Sequence, residues 1–164
     1  MSLSFEILPA RLAGTDGEVL GSVHLGPSRP ALAPAWPEQA IMAPLPGPGG
    51  EAVREIWRVA GDSRSGMSEG IVWRRRGDVL FGVIEVDEAA FPAAAGSPPL
   101  QAACEEAYAG IFRLLEAQGL PHLWRVWNYM ADINGSSHGL ERYRQFNVGR
   151  QDAFLAALRR VRGQ

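Results

Sequence analysis

An α+β protein, a mixed β-sheet with two α-helices packed on one face, is the fold class this sequence predicts, and three observations carry it. Short alternating apolar and polar segments crowd the first half. Two stretches of helical periodicity follow, one near residues 97–118 and one beginning near Leu140. Between them lies an aromatic-rich segment, His122 to Tyr129, whose residue types favour a pleated surface. The 164 residues are enough for one domain with a sizeable core.

Ser4 to Leu8 and Glu18 to Leu25 read as two strands, with Gly14-Thr15-Asp16-Gly17 as the turn between them. From Gly26 to Gly50 the character changes to a Pro/Gly-rich loop. Seven of the chain's 12 prolines lie between Pro27 and Pro48, so no regular element is expected there. Arg54 to Val59 alternates like a strand. Gly70 to Arg75 and Asp78 to Val86 follow as a hairpin around Arg76-Gly77. The second of these is apolar at nearly every position, which predicts a strand covered on both faces.

The first helix has Ser97 as N-cap and Pro98 at its first position, and Gly119 followed by Pro121 ends it. Leu100, Cys104, Ala107, Ile111, Leu114 and Leu115 form its buried stripe. A right-handed crossover through it would make the strand ending at Val86 parallel to His122–Tyr129. Asn134-Gly135-Ser136-Ser137 is a turn expected to supply a Ser cap to the second helix. That helix's stripe is Tyr143, Phe146, Phe154, Leu155, Leu158 and Val161. Gly149 in its middle costs about 1 kcal/mol relative to alanine, which a bend or a close approach of another backbone would explain.

Composition excludes several chemistries. Apolar residues make up 46% and charged residues 21%, the profile of a folded globular protein. Net charge is −2, with no global bias toward nucleic acid. Lysine is absent, which removes Schiff-base chemistry and a phosphate-loop lysine. Sixteen arginines amid much Ala, Gly and Pro are the mark of a GC-rich bacterial genome, although arginine is also the better residue for gripping carboxylates. The single Cys104 reads as a core hydrophobe and permits no disulfide framework, which fits a reducing cytoplasm. Met1 to Ala10 shows no signal-peptide pattern, and no apolar run reaches the roughly 18 residues a membrane span needs. The reading is a soluble, cytoplasmic protein. His24, His122 and His138 lack ligand partners at metal-binding spacing, so no metal is expected. Arg74-Arg75-Arg76 reads as a solvated hairpin tip.

What packing does not explain is the concentration of hydrogen-bonding heads after residue 127. Arg125 and Asn128 are misfits among apolar neighbours, and Tyr143, Asn147 and Arg150 share one side of the second helix beside Arg142 and Gln145. Such a face can grip carboxylates and hydroxyls of a small anionic molecule. Arg144 reads as solvated. Glu85, Asp87 and Glu88 follow a strand, and one of them could serve as a general acid, against a default of solvated acids.

These segments, His122-Leu123-Trp124-Arg125-Val126-Trp127-Asn128-Tyr129, Asp132-Ile133-Asn134 and Glu141-Arg142-Tyr143-Arg144-Gln145-Phe146-Asn147-Val148-Gly149-Arg150, resemble the chorismatase family. Its members hydrolyse the enolpyruvyl ether of chorismate. The resemblance is looser from Val53 to Gln118 and weak through the Pro/Gly-rich loop. It implies that residues 1–164 form a single domain similar to the RidA (YjgF-like) fold and to the N-terminal half of a chorismatase. Family enzymes are about twice this length, and their second half supplies a catalytic glutamate. This chain stops after its second helix, where the strands completing the sheet should come, and it lacks the late arginine of RidA-type deaminases.

The resemblance further implies a chorismate-like dianion as substrate and no metal or organic cofactor. Arg142 and Arg150 would bind carboxylates, and Asn128, Tyr143 and Gln145 would orient the molecule. Protonation of the enol ether and attack by water would release pyruvate and a dihydroxylated or hydroxybenzoate product. The general acid is unassigned in this chain, so the piece alone is expected to be incomplete. The rival reading is a non-catalytic RidA-like small-molecule-binding or assembly module. An open sheet edge would then pair with a second copy, as a homo-oligomer, or with a second chorismatase-like half.

Overall fold

The chain is described by a computed structural model covering residues 3–11, 17–42, 50–91 and 97–158. It divides into two compact units, Met1–Val83 and Ile84–Gln164. Among the described residues the first unit holds seven strands in two sheets. β1 (Leu3–Pro9), β2 (Val19–Gly26), β3 (Glu38–Met42) and β4 (Val53–Val59) form a mixed sheet in the order β1-β4-β2-β3. β2 runs parallel to β3, and the other pairs are antiparallel. β5 (Ser63–Ser68), β6 (Ile71–Arg76) and β7 (Val79–Val83) form an antiparallel meander. The two sheets meet at Gly21, where an added Cβ would lie 2.2 Å from the Phe81 ring. Only a residue without a side chain fits there.

Four of the expected strands appear with their ends shifted by a residue or two, since alternation reports a half-buried surface directly. Residues 14–16 of the expected first turn lie outside the described residues. The Pro/Gly-rich loop departs from expectation because it contains β3. Between Pro37 and Pro44 no proline interrupts the chain, so Glu38–Met42 can pair along the edge of β2. β5 has no apolar pattern and is held by its register with β6. β7 is not covered on both faces. It is an edge strand of partly buried residues with Gly82 exposed.

Arg74-Arg75-Arg76 is also not a solvated tip; the turn falls at Gly77-Asp78 instead. Arg74 and Arg76 are buried on one side of β6, where the Arg74 guanidinium donates to Ser65 Oγ (3.1 Å) and to the carbonyls of Val19 (3.1 Å) and Ala35 (2.6 Å). A second buried polar chain lies on the four-stranded sheet. Trp36 Nε1 donates to Ser22 Oγ (2.8 Å), Ser22 donates to Glu38 (2.6 Å), and Arg54 forks onto the same carboxylate at 2.6 and 3.3 Å. The Arg54 and Glu38 side chains are only 7% and 4% exposed.

The second unit is built on two helices packed against each other, α1 (Pro99–Ala117) and α2 (Arg142–Ala156). α1 starts one residue later than expected: Pro98 is its N-cap, Pro99 its first residue, and Ser97 makes no cap. Gly119, at φ +62°, ends it as predicted, with Leu120 N–H reaching back to the Leu115 carbonyl (2.8 Å). The buried row is Leu100, Cys104, Tyr108 and Phe112, four residues apart, with Leu114 and Leu115 beyond it; Ala107 and Ile111 are only partly buried. From α2 come Phe146, Ala153 and the partly buried Phe154. Tyr143, Leu155 and Leu158 of the expected stripe point outward, and Val161 lies outside the described residues. Gly149 is explained by close approach: a Cβ there would sit 2.2 Å from the Gln101 carbonyl oxygen of α1.

His122–Tyr129 forms no strand. Leu123, Val126, Met130 and Ile133 are the residues that pack on the helix core, a spacing of three and four where a strand requires two. The expected parallel crossover therefore has no second strand among the described residues. Beyond it, β8 (Ser136–Ser137) and β9 (Leu140–Glu141) make a minimal hairpin. His138 and Gly139 form its turn at φ +53° and +74°, the pair of positive angles a two-residue hairpin demands.

Candidate functional site

Two polar clusters in the second unit contain Asn128, Arg142 and Arg150 of the residues singled out from the sequence. The first centres on Tyr108, a residue the sequence reading passed over. Its ring is buried between Phe112, Phe146 and Phe154, at centroid distances of 6.2, 6.4 and 5.9 Å. Its hydroxyl donates to Asn128 Oδ1 at 3.2 Å. The Arg150 guanidinium lies over the Phe146 ring, 5.3 Å from the centroid. Burial pushes the phenol above its ordinary range, opposed by the contact with Asn128 and by the nearby positive charge of Arg150. Asn128 and Arg150 are themselves exposed. The structure thus brings two predicted residues, 22 positions apart, to one aromatic cluster: Asn128 at the Tyr108 hydroxyl and Arg150 over Phe146.

Cys104 lies beside this cluster and donates to the Phe146 carbonyl at 3.3 Å. Burial raises its thiol to about 12, opposed by Arg150. A thiol so held is not a nucleophile near neutrality, and the residue is the core hydrophobe expected.

The second cluster centres on Arg142 at the start of α2. Its two terminal nitrogens bind both oxygens of Glu88 (3.0 and 2.7 Å), and Nε donates to the Ala131 carbonyl (3.3 Å). Glu88 sits in a single 3-10 turn, Glu88–Ala90, capped by the Asp87 carboxylate on Ala89 N–H (3.0 Å). The Arg142 hydrogen bonds hold the Glu88 carboxyl below its ordinary range against the opposing effect of burial. Of the three acids considered as proton donors, Asp87 is a turn cap and Glu88 is a committed anion; neither suits a general acid. Arg142 borders an open concavity of about 700 Å³ lined also by Asp132, Asn134, Ser136 and Ser137.

Gln145 does not present its amide to a ligand. It is fully buried, and its Nε2 donates to the Ser137 carbonyl (2.7 Å), Ser137 Oγ (3.0 Å) and the Leu140 carbonyl (2.9 Å). The expected Ser cap is corrected by the same contacts: Ser137 receives this side chain, and the N-cap of α2 is Glu141, which makes no side-chain cap. Gln145 fixes the hairpin whose residues line the concavity. Tyr143 is half-exposed on the first turn of α2, and Arg144 is solvated with a loose contact to Glu141 (3.6 Å). Arg125 stacks over Trp127, 5.4 Å from its ring centroid. Among the described residues no group of three or more His, Cys, Asp or Glu is arranged to hold a metal, and no helix is long and apolar enough to cross a membrane.

Comparison with known proteins places these clusters in context. The family model described as "Chorismatase FkbO/Hyg5-like, N-terminal" matches residues 55–164, which contain every candidate residue above. A chorismatase of Streptomyces rapamycinicus is 36% identical over 155 residues, covering 93% of this chain and 43% of that protein. A 3-hydroxybenzoate synthase of Streptomyces hygroscopicus is 32% identical over 129 residues, 76% of this chain and 34% of that protein. A chorismatase crystal structure superposes with a TM-score of 0.75 at 29% identity, over 97% of this chain and 46% of that one. The chain spans less than half the length of these relatives.

Proposed function

This chain belongs to the chorismatase family, corresponding to its N-terminal part, and from that premise we propose that it binds a chorismate-type dianion as half of an enzyme that hydrolyses the enolpyruvyl ether. The observation that carries the proposal is the exposed guanidinium of Arg150, held over the Phe146 ring, and the exposed carboxamide of Asn128, hydrogen-bonded to buried Tyr108. A carboxylate is the natural complement of that pair, because both can offer N–H donors and arginine can do so as a fork. In this reading Arg150 takes a carboxylate, Asn128 and exposed Tyr143 orient the rest, and Gln145 acts one step removed by holding the hairpin. Arg142 becomes a second carboxylate site once the ligand displaces Glu88. Relatives named chorismatase and 3-hydroxybenzoate synthase support this substrate class.

The chemistry proposed is protonation of the enol ether by an acid from a second half, addition of water to the oxocarbenium carbon, and loss of pyruvate. In this reading the second half, and neither Asp87 nor Glu88, supplies that acid, and the chain by itself binds without turning over. A RidA/YjgF-like arrangement, a cytoplasmic setting and pairing with a second copy or a second half belong to the same proposal. The rival, a binding or assembly module without catalysis, is favoured by one observation: the Arg142 fork is already filled by Glu88. The deciding experiment mixes the purified chain with chorismate and follows thermal stability and pyruvate together. A rise in the unfolding midpoint without pyruvate is expected. No shift at any concentration would refute binding, and brisk pyruvate release would refute the claim that the acid lies elsewhere.

A further inference from the structure

Five arginines are described in the second unit, and three of them are engaged by carboxylates. Arg113 pairs with Glu106 at 2.7 Å, Arg142 with Glu88 at 2.7 Å, and Arg144 loosely with Glu141 at 3.6 Å. Arg125 and Arg150 are different. Both are exposed, and among the described residues neither has a carboxylate within ion-pair distance. Each guanidinium lies over an aromatic ring instead: Arg125 over Trp127, 5.4 Å from the centroid, and Arg150 over Phe146, at 5.3 Å. A ring attracts the cation without accepting its N–H groups, so the in-plane donors remain available to an acceptor. A guanidinium held this way keeps its full charge and has less side-chain freedom left to lose, which favours capture of a carboxylate from solution.

Resting on the ligand-binding reading above, we infer that Arg125 binds the other carboxylate of the dianion in the resting chain, where Glu88 still fills the Arg142 fork, and that Trp127 positions it. The sequence already marks Arg125 as a charge among apolar neighbours, and no ion pair accounts for it. Its place in the fold agrees. Leu123 and Val126, on either side of it, pack on the same core that holds Phe146 under Arg150. Asn128 follows three residues later, at most about 11 Å of chain away, and meets Tyr108, whose ring packs against Phe146 at 6.4 Å. Both ring-held cations therefore border one aromatic core. A monocarboxylate can satisfy one of them at a time; a dianion can satisfy both, so the pair selects for two carboxylates.

The test titrates the 164-residue chain with chorismate and with the monocarboxylate benzoate, and follows the arginine Nε–H resonances. In the wild type the Arg125 and Arg150 resonances should shift together and saturate at the same chorismate concentration. Arg125→Gln should weaken chorismate about tenfold, the effect of removing a charge-assisted hydrogen bond, and benzoate by no more than about twofold, because Arg150 still serves it. Arg144→Gln removes the same charge from a solvated side chain and should weaken chorismate by no more than about twofold. Trp127→Leu, with the charge kept, should lose most of what Arg125→Gln loses, and Trp127→Phe, with a ring restored, should recover it.

Chorismate affinity that is unchanged in Arg125→Gln yet reduced in Arg150→Gln overturns the inference and leaves the reading built on Arg150 standing. So does an equal loss in Arg144→Gln and Arg125→Gln, which would reveal nothing beyond net charge. If the wild type takes up no chorismate, the dicarboxylate malonate is titrated in its place. Arg125 and Arg150 resonances that then move together would keep the two-arginine site and discard the substrate proposed above; resonances that stay still would overturn the site as well.

Discussion

Gly149→Ala is the substitution on which intrinsic preference and packing disagree most sharply. In an isolated helix the change should stabilise by about 1 kcal/mol, because alanine is the better helix former. In this protein the new methyl would stand 2.2 Å from the Gln101 carbonyl oxygen, 3.0 Å from its carbon and 3.1 Å from Cys104 Cβ. Two of those atoms are backbone of α1, so no side-chain rotation relieves the contact, and the helices must separate by about an ångström to regain ordinary van der Waals distance. Overpacking of a close-packed core costs roughly 1–3 kcal/mol, and a backbone-on-backbone clash belongs at or above the upper end. Subtracting the propensity gain leaves a net loss of about 2 kcal/mol, which for a chain of this size lowers the unfolding midpoint by roughly 4–8 °C. Arg150, the next residue, would be displaced from the Phe146 ring as well. Thermal denaturation followed by circular dichroism reads the effect. A midpoint that is unchanged or raised would show that the helix contact is not as close as described here.

Three other outcomes are expected. Glu88→Gln should cost no more than about 1 kcal/mol at neutral pH, since the pair is partly solvated. Because Arg142 lowers the Glu88 pKa, this stabilisation is present above the ordinary carboxylate value of 4.5 and is lost as pH falls through the depressed native value. Urea melts of wild type and variant should therefore converge in acid, and a gap that widens there would reverse the assignment. The same variant, by freeing Arg142, should bind chorismate severalfold more tightly. Arg54→Met leaves the Glu38 carboxylate buried with only Ser22 to bond it, a loss of about 3–5 kcal/mol by denaturant melt; a loss under 1 kcal/mol would mean that water reaches the site. Cys104, with its thiol raised to about 12, should react with a disulfide reagent at neutral pH only after unfolding.

The strands β1, β2, β4 and β6 were legible because alternation between a buried and an exposed face leaves its period in the chain. β3 and β5 were not. One is a proline-free window inside a proline-rich stretch, and the other, Ser-Arg-Ser-Gly-Met-Ser, owes its conformation to its partner β6. Residues 122–129 show the opposite failure. Trp, Val and Tyr suggest a pleated surface, yet strand preference describes fit to a neighbour, and the inward residues here recur every three or four positions. In the site, Asn128 and Arg150 stood out as polar heads that packing did not request. Tyr108 could not stand out, since a tyrosine in a helical apolar row looks like core until its hydroxyl is followed to its partner. Arg142 and Gln145 were visible as hydrogen-bonding residues, but their internal partners, Glu88 and the 137–140 hairpin, are a matter of three-dimensional placement.

The central claim is that the Arg150 guanidinium receives a carboxylate of a chorismate-type dianion. Isothermal titration of chorismate into the wild-type chain and into Arg150→Gln measures it directly. The account predicts one saturable site in the wild type and a loss of about 10- to 100-fold in the variant, the effect of removing a charge-assisted hydrogen bond worth about 1.5–3 kcal/mol. Equal affinity in the two proteins, or no saturable heat in the wild type, would contradict it.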